Sequence, residues 1–324
     1  MSLRWYVVRR LLWTLVATFI ILSVTWGLLA VTPNQQAAQL GFQAAQAGGS
    51  AETAEEAFRQ SRGLDRPLWE RYTTYMTNMV TLNWGWSDSR SQPVTEAIWA
   101  ALPYTAIYSV PTTILSILLG LSIGLYSATH QYTKADYAAT FFAFFGFAIP
   151  NFWFAIILLL VFGVQLGWFP VVFDPDAPFL SLQMARQLVL PVVVLTTGTI
   201  AGLMRYSRAR TLEFVQADFV KTARAKGASE WRVLTRHILR PASPPLVTIL
   251  ISDLLGIFIA ASYLVEVVFG IPGLGQLSFR AIIAQDTALV LGTVLIGVFI
   301  AIVGNLFQDL AYTVLDPRID YGDH

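Results

Sequence analysis

Cysteine is absent from all 324 residues, which excludes disulfides, thiolate catalysis and cysteine metal sites together. Histidine is nearly absent: His130, His237 and His324 are the only three, and none is spaced from a Glu or Asp as a metal-ligand set requires. They read as ordinary loop or interface side chains, and no metal is expected. Charge is scarce, at 13% of residues against 55% apolar, which is far too oily for a soluble domain of this length. No Gly-Lys-Ser or Gly-Lys-Thr step of a phosphate loop occurs, and neither does the H-E-x-x-H pattern that a metal-dependent intramembrane hydrolase would need. No catalytic residue is assigned, and the chain reads as an all-α polytopic membrane protein.

Long apolar runs are what the sequence has instead. Residues 11–31 follow Arg4, Arg9 and Arg10 and lack a small-residue cleavage site, so they read as a retained span. At 1.5 Å per residue this run crosses a hydrocarbon core of roughly 30 Å. Further spans fit at 104–129, 137–163, 188–206, 246–268 and 288–314. Six spans place both ends on one side. Fourteen Lys and Arg fall on that side (the N-terminus, residues 129–136, residues 205–245 and the tail), while Arg186 and Arg280 alone fall in the short opposite loops. The positive-inside rule makes the former cytoplasmic; the long 32–103 loop, with five basic residues, counts little.

That external loop reads as a small helical insertion. Ser50 suits the cap of a helix over 51–62 ending at Gly63, and Asp65 the cap of a second over 67–80. The expected divisions are a first span to residue 31, the insertion over 32–103, a transmembrane core over 104–317 and a cytoplasmic tail over 318–324.

The cytoplasmic segment 205–245 is the main polar feature, with nine basic and three acidic residues. Residues 213–226 place Phe214, Val215, Phe219, Val220 and Ala223 at helical spacing. Gly227 suits the left-handed position that closes a helix, and Ser229 the cap of a second helix carrying Val233, Leu234, His237 and Ile238. So short a hairpin must dock on something. A nucleic-acid-binding helix-turn-helix is disfavoured because topology already demands the positive charge, part of which also suits anionic headgroups.

Asp218-Phe219-Val220-Lys221-Thr222-Ala223-Arg224-Ala225-Lys226-Gly227 resembles the cytoplasmic EAA loop of binding-protein-dependent ABC importer permeases, in the form found in dipeptide, oligopeptide and nickel permeases. The resemblance continues through Gly63-Leu64-Asp65-Arg66-Pro67-Leu68, Leu82-Asn83-Trp84-Gly85-Trp86-Ser87, Leu166-Gly167-Trp168-Phe169-Pro170, the E-x-x-F-x-x-P-G-x-G run from Glu266 to Gly275, and the N-x3-D-x2-Y-x3-D-P-R ending from Asn305 to Arg318. It implies a type I ABC importer permease fold in a cell membrane, with 205–245 as the coupling hairpin docking on an ATPase. The implied partners are a second homologous permease, two cytoplasmic ATPase subunits that bind the ATP, and an external substrate-binding protein. It also implies alternating access for peptides, with nickel chelates or oligosaccharides as alternatives. Asp218, Phe219, Lys221, Thr222, Ala223, Arg224, Ala225, Lys226 and Gly227 become candidate coupling residues. Lys221 stands where the general EAA pattern has Glu, so Asp218 becomes the candidate acidic contact, with a merely solvated carboxylate as the competing reading. Glu266, Pro272, Gly273, Gly275 and Asp286 become the candidate external docking loop.

Inside the membrane, Pro150 removes a helical hydrogen bond and predicts a break or kink in the 137–163 run. Pro150 and Asn151 then form either a path or gate element or a packing kink. Asp253 and Asp309 are costly in lipid, so each faces protein or water, as a path element or as a structural hydrogen bond.

Overall fold

The computed structural model describes residues 3–32, 35–215, 217–240 and 262–315. Asp253, the greater part of the 246–268 run and the tail over 318–324 lie outside them, as does the side chain of Asp309. The chain forms two compact units, Leu12–Gly85 and a larger one holding Trp86 onward with the chain start to Leu11. This division differs from the expected boundaries at 31 and 103.

In the smaller unit, α1 (Leu3–Val31), from Leu12 onward, supplies the first apolar run, and α2 (Gln35–Gln46), α3 (Ala51–Ser61) and α4 (Leu68–Val80) form the insertion. Ser50 accepts the Thr53 N–H at 3.4 Å and caps α3, as its sequence position predicts. The cap of α4 is corrected: Pro67, with fixed φ and no side-chain acceptor, occupies that place instead of Asp65. Helix α2 was not foreseen: Leu40 and Phe42 are the only large apolar side chains in its Gln- and Ala-rich sequence. Tyr72 fastens α4 to α1 through a 2.8 Å hydrogen bond with Ser23 and an edge-on contact with Trp26.

In the larger unit a two-residue ladder, β1 (Trp86–Ser87) with β2 (Gln92–Pro93), leads directly into α5 (Val94–Thr129). Thus α5 begins ten residues before the expected span. α6 (Lys134–Ala148) and α7 (Asn151–Leu158), with a wider π-type winding over Leu159–Gln165, follow. α8 (Leu182–Val215) is the second long helix. α9 (Asp218–Ala225) and α10 (Glu230–Arg232), the latter extended by a π-type turn over Val233–Leu239, make the hairpin. α11 (Ser262–Phe269), α12 (Leu274–Ile283) and α13 (Thr287–Leu315) complete the order.

Among the described residues four helices are long and apolar enough to cross a membrane, in α1, α5, α8 and α13, and two bent pairs could each supply one more. The 137–163 run is not one straight span: its two halves meet at 100° where Ile149 turns extended and Pro150 starts α7. Proline cannot donate the bond that would continue α6, so the chain restarts there.

Helix α5 packs tightly along α8. A Cβ on Gly120 would lie 2.6 Å from the Leu203 Cβ, and one on Gly124 the same distance from the Ser207 Cβ. The Ser116 and Thr199 hydroxyls bond across the same seam. Small residues thus bring the two backbones together where lipid offers no hydrophobic drive. The main core gathers Tyr108, Met184, Val194, Leu195, Val265 and Ile271 from α5, α8, α11 and the turn after it.

Candidate functional site

The hairpin is a helix, a sharp corner and a helix, as its sequence predicts, but α9 is shorter than the expected 213–226 helix. Phe214 and Val215 end α8 and pack on the hairpin from there, around a small core of Val220, Ala223, Val233 and Ile238. The corner closes by backbone bonds from Gly227 N–H to the Arg224 carbonyl at 2.9 Å and from Ala228 N–H to the Ala223 carbonyl at 3.1 Å. Gly227 sits at φ +78°, where a side chain is strained even though nothing lies within 4 Å of its missing Cβ. Ser229 then accepts the Arg232 N–H at 3.4 Å, and Arg224 grips Glu230 across the corner through two bonds of 3.0 and 3.1 Å.

Of the candidate coupling residues only Ala223 is buried; Asp218, Phe219, Lys221, Thr222, Arg224, Ala225, Lys226 and Gly227 are exposed together. Phe219 is 48% exposed and Trp231, on the facing helix, 75%. Two large apolar side chains therefore stand among cations on one small element, a surface suited to a protein partner. Asp218 pairs with Lys221 at 2.9 Å while 96% exposed, so solvent screens the pair and leaves the carboxylate accessible.

The residues expected to form the external docking loop have a different character. Glu266 is wholly buried and accepts the Thr105 hydroxyl at 2.8 Å, the Tyr108 hydroxyl at 2.6 Å and the Gln276 N–H at 2.8 Å. Thr105 in turn accepts the Leu274 N–H at 2.8 Å. Gly273 and Gly275 are buried against this carboxylate, and a Cβ on Gly275 would lie 2.6 Å from the Tyr263 Cα. Pro272, half-buried, fills the turn between α11 and α12, which cross at 87°. Asp286, also buried, caps α13 through the Leu289 N–H at 3.0 Å and accepts both side-chain hydroxyls of Ser87 and Ser89, each at 2.7 Å. Burial alone would raise its pKa, but the Ser87 hydroxyl, the Leu289 N–H and the Ser89 groups outweigh that and hold it below the usual carboxylate range. Glu266, Gly273, Gly275 and Asp286, being buried, shape the loop from within rather than present its surface, and its exposed residues are Gly270, Arg280 and Ile282–Gln285.

Pro150 is exposed and Asn151 half-buried, with the Asn151 side chain in the space that a Cβ on Gly198 of α8 would fill. The bend thereby lies against the middle of α8. A third buried carboxylate escaped the sequence reading. Asp136 accepts the Ser127 hydroxyl and the Tyr132 N–H and pairs with Arg208 of α8 at 3.1 Å. Its signal was weak, since Arg208 is one of nine basic residues in a segment whose bias has a topological cause. Thr105 and Tyr108 were missed as well; polar side chains inside an apolar run were the available sign.

The larger unit's helices and the exposed hairpin agree with one family model. Residues 116–321 match the binding-protein-dependent transport system inner membrane component. The chain belongs to this family. The permease is 40% identical over 269 residues to the oligopeptide transport system permease protein AppB of Bacillus subtilis, covering 82% of this chain and 85% of that one. It is 31% identical to the oligopeptide transport system permease protein OppB of Haemophilus influenzae, over 98% of this chain and 99% of that one. Among solved structures, a chain of the inward-facing MetNI methionine ABC transporter aligns with a TM-score of 0.54 at 18% identity, covering 68% of the permease and 96% of that chain. At that identity the likeness speaks for the fold alone. The permease is a multi-pass membrane subunit of an ABC importer.

Proposed function

We propose that this permease forms half of a translocation path for peptides, paired with a second homologous permease, two cytoplasmic ATPase subunits that bind the ATP, and an external substrate-binding protein. The observation that carries the reading is the exposed surface of α9 and α10, rooted on the end of α8 by Phe214 and Val215. Kinship with oligopeptide permeases supports the peptide substrate. Both chain ends and the hairpin face the cytoplasm, on the count of basic residues.

ATP-driven closure of the ATPases moves the docked hairpins, and the helix bundle passes between inward- and outward-open states as a rigid-body switch. Pro150 and Asn151, and Asp253 from sequence alone, are the proposed path or gate positions. External docking of the binding protein is proposed for the exposed residues of the Glu266–Gln285 loop and, separately, for the 32–103 insertion. The chain supplies no phosphate loop, so hydrolysis belongs to its partners.

The absence of native cysteine makes the topology directly testable. Ala47→Cys and Ala284→Cys, both at exposed positions, should react with an impermeant maleimide in intact cells, whereas Ala225→Cys, also exposed, should react only after permeabilisation. The reverse pattern would invert the orientation and end the coupling assignment. The substrate class is tested by the ligand carried by the binding protein that copurifies: a peptide supports the proposal, and a nickel chelate or an oligosaccharide replaces it.

A further inference from the structure

A cavity of about 480 Å³ opens within the smaller unit, between the end of α1 and the segment running from Gly63 into α4. Its two walls differ in chemistry. Trp26 and Leu29 of α1 give the apolar wall, while Arg66, Arg71, Tyr75 and Asn78 give the polar one. Arg66 lies over Gly63, with its Nε 3.2 Å from where a Cβ would stand, so glycine leaves room for the guanidinium. Among the described residues neither Arg66 nor Arg71 is paired with a carboxylate. The Tyr75 hydroxyl is buried and has no hydrogen-bond partner within the structure. A buried donor without a partner is costly, and the two arginines that line the same cavity favour an anion as that partner.

The cavity's place narrows which anion. α1 carries Trp13, Leu15 and Leu28 each more than 60% exposed, as a lipid-facing span does, and the apolar wall continues that span at its end. The volume lies within the roughly 300–1,000 Å³ of small-molecule sites. Tyr72, bonded to Ser23 and set edge-on to Trp26, holds the two walls together without a ligand.

We infer that this cavity binds the phosphodiester of an anionic phospholipid, with Arg66 and Arg71 on the phosphate oxygens, the Tyr75 hydroxyl donating to one of them, and the acyl chains running along α1 from Trp26 and Leu29. A soluble phosphate or phosphate ester shares the headgroup chemistry but has no use for the apolar wall. The lipid adds to the Tyr72 contacts that already hold the insertion against its own span. The inference stands independently of which face of the membrane the insertion occupies and of what is transported.

The test uses the permease with its partner subunits, purified in mild detergent and supplied with phosphatidylglycerol, phosphatidylcholine or inorganic phosphate. Native mass spectrometry should find one phosphatidylglycerol more tightly retained by the wild type than by Arg66→Gln/Arg71→Gln, with apparent affinity falling at least about tenfold in the double variant. Tyr75→Phe, which removes one hydroxyl and keeps the ring, should weaken retention by roughly fivefold. It carries the test if the double variant does not fold. Phosphatidylglycerol, and neither phosphatidylcholine nor inorganic phosphate, should raise the wild-type melting temperature. Equal retention by the wild type and Tyr75→Phe overturns the site. Stabilisation by inorganic phosphate that matches and competes with phosphatidylglycerol overturns the lipid assignment in favour of a free anion.

Discussion

The turn after α11 and the corner after α9 were both recognisable from glycine-bearing family motifs, yet they handle charge in opposite ways. At the first, Glu266 is sealed in and its oxygens are consumed by Thr105, Tyr108 and the Gln276 N–H. At the second, Asp218, Lys221, Arg224 and Glu230 pair in the open, and the buried positions are Val220, Ala223, Val233 and Ile238. A motif therefore marks either a knot that a fold requires or a surface that a partner reads. Only burial distinguishes them.

The largest effect should come from cutting the knot. Glu266→Ala leaves two hydroxyls and an N–H without their acceptor, a loss on the order of 3–5 kcal/mol and exceptional for one residue. The melting temperature in detergent and the yield of assembled complex should both collapse, while Glu266→Gln, which keeps the shape and one acceptor, recovers part of each. A wild-type melting temperature for Glu266→Ala would show that the knot does not hold the fold.

Next in size is Gly227→Val. A β-branched residue at φ +78° costs about 1–2 kcal/mol locally and reaims α10. The permease should insert and fold, yet bind its ATPases weakly or permit ATP hydrolysis without uptake. Wild-type uptake per ATP in reconstituted vesicles would remove the hairpin from the coupling step.

Asp286 sharpens the contrast through pH. Its folded pKa lies below the ordinary value of about 3.9, so its contribution is fully present above that value and is lost as pH falls through the lower folded pKa. Asp286→Asn should flatten the acid side of the melting-temperature profile and change little near neutrality beyond a small uniform loss. An unchanged acid limb would place the sensitivity elsewhere.

Asp218→Ala should have the smallest effect on the fold, because the pair with Lys221 is solvent-exposed. Its melting temperature should match wild type. If Asp218 makes the acidic contact with the ATPase, affinity for that subunit falls several-fold; if it is merely solvated, affinity is unchanged, which separates the two readings directly.

The hairpin was legible because each local device had its own residue: Gly227 for the left-handed corner, Ser229 for the cap, Val220 and Ala223 for the inward stripe. Four long helices were legible from length and hydropathy, although α5 and α8 run well beyond the apolar stretches that announced them. The break at Pro150 was foreseen, but not its 100° angle, since proline forbids continuation without prescribing a direction. The pairings at Glu266 and Asp286 were not legible. Partners such as Ser87 and Asp286, or Thr105 and Glu266, are separated by more than 150 residues, and no periodicity links them.

The close seam between α5 and α8 has a mechanical corollary. Beyond Pro191, α8 runs unbroken from Val192 to Val215, about 36 Å at 1.5 Å per residue, and ends where Phe214 and Val215 meet the hairpin. Helices that touch through Gly120 and Gly124 have no side-chain layer in which to slip, so α5 must travel with this rod. A tilt of roughly 5° applied at the hairpin end would carry the far end about 3 Å, on the scale of interface shifts that switch packed bundles between two states. A partner pushing on eight residues of α9 would thus have the leverage of two long helices at once.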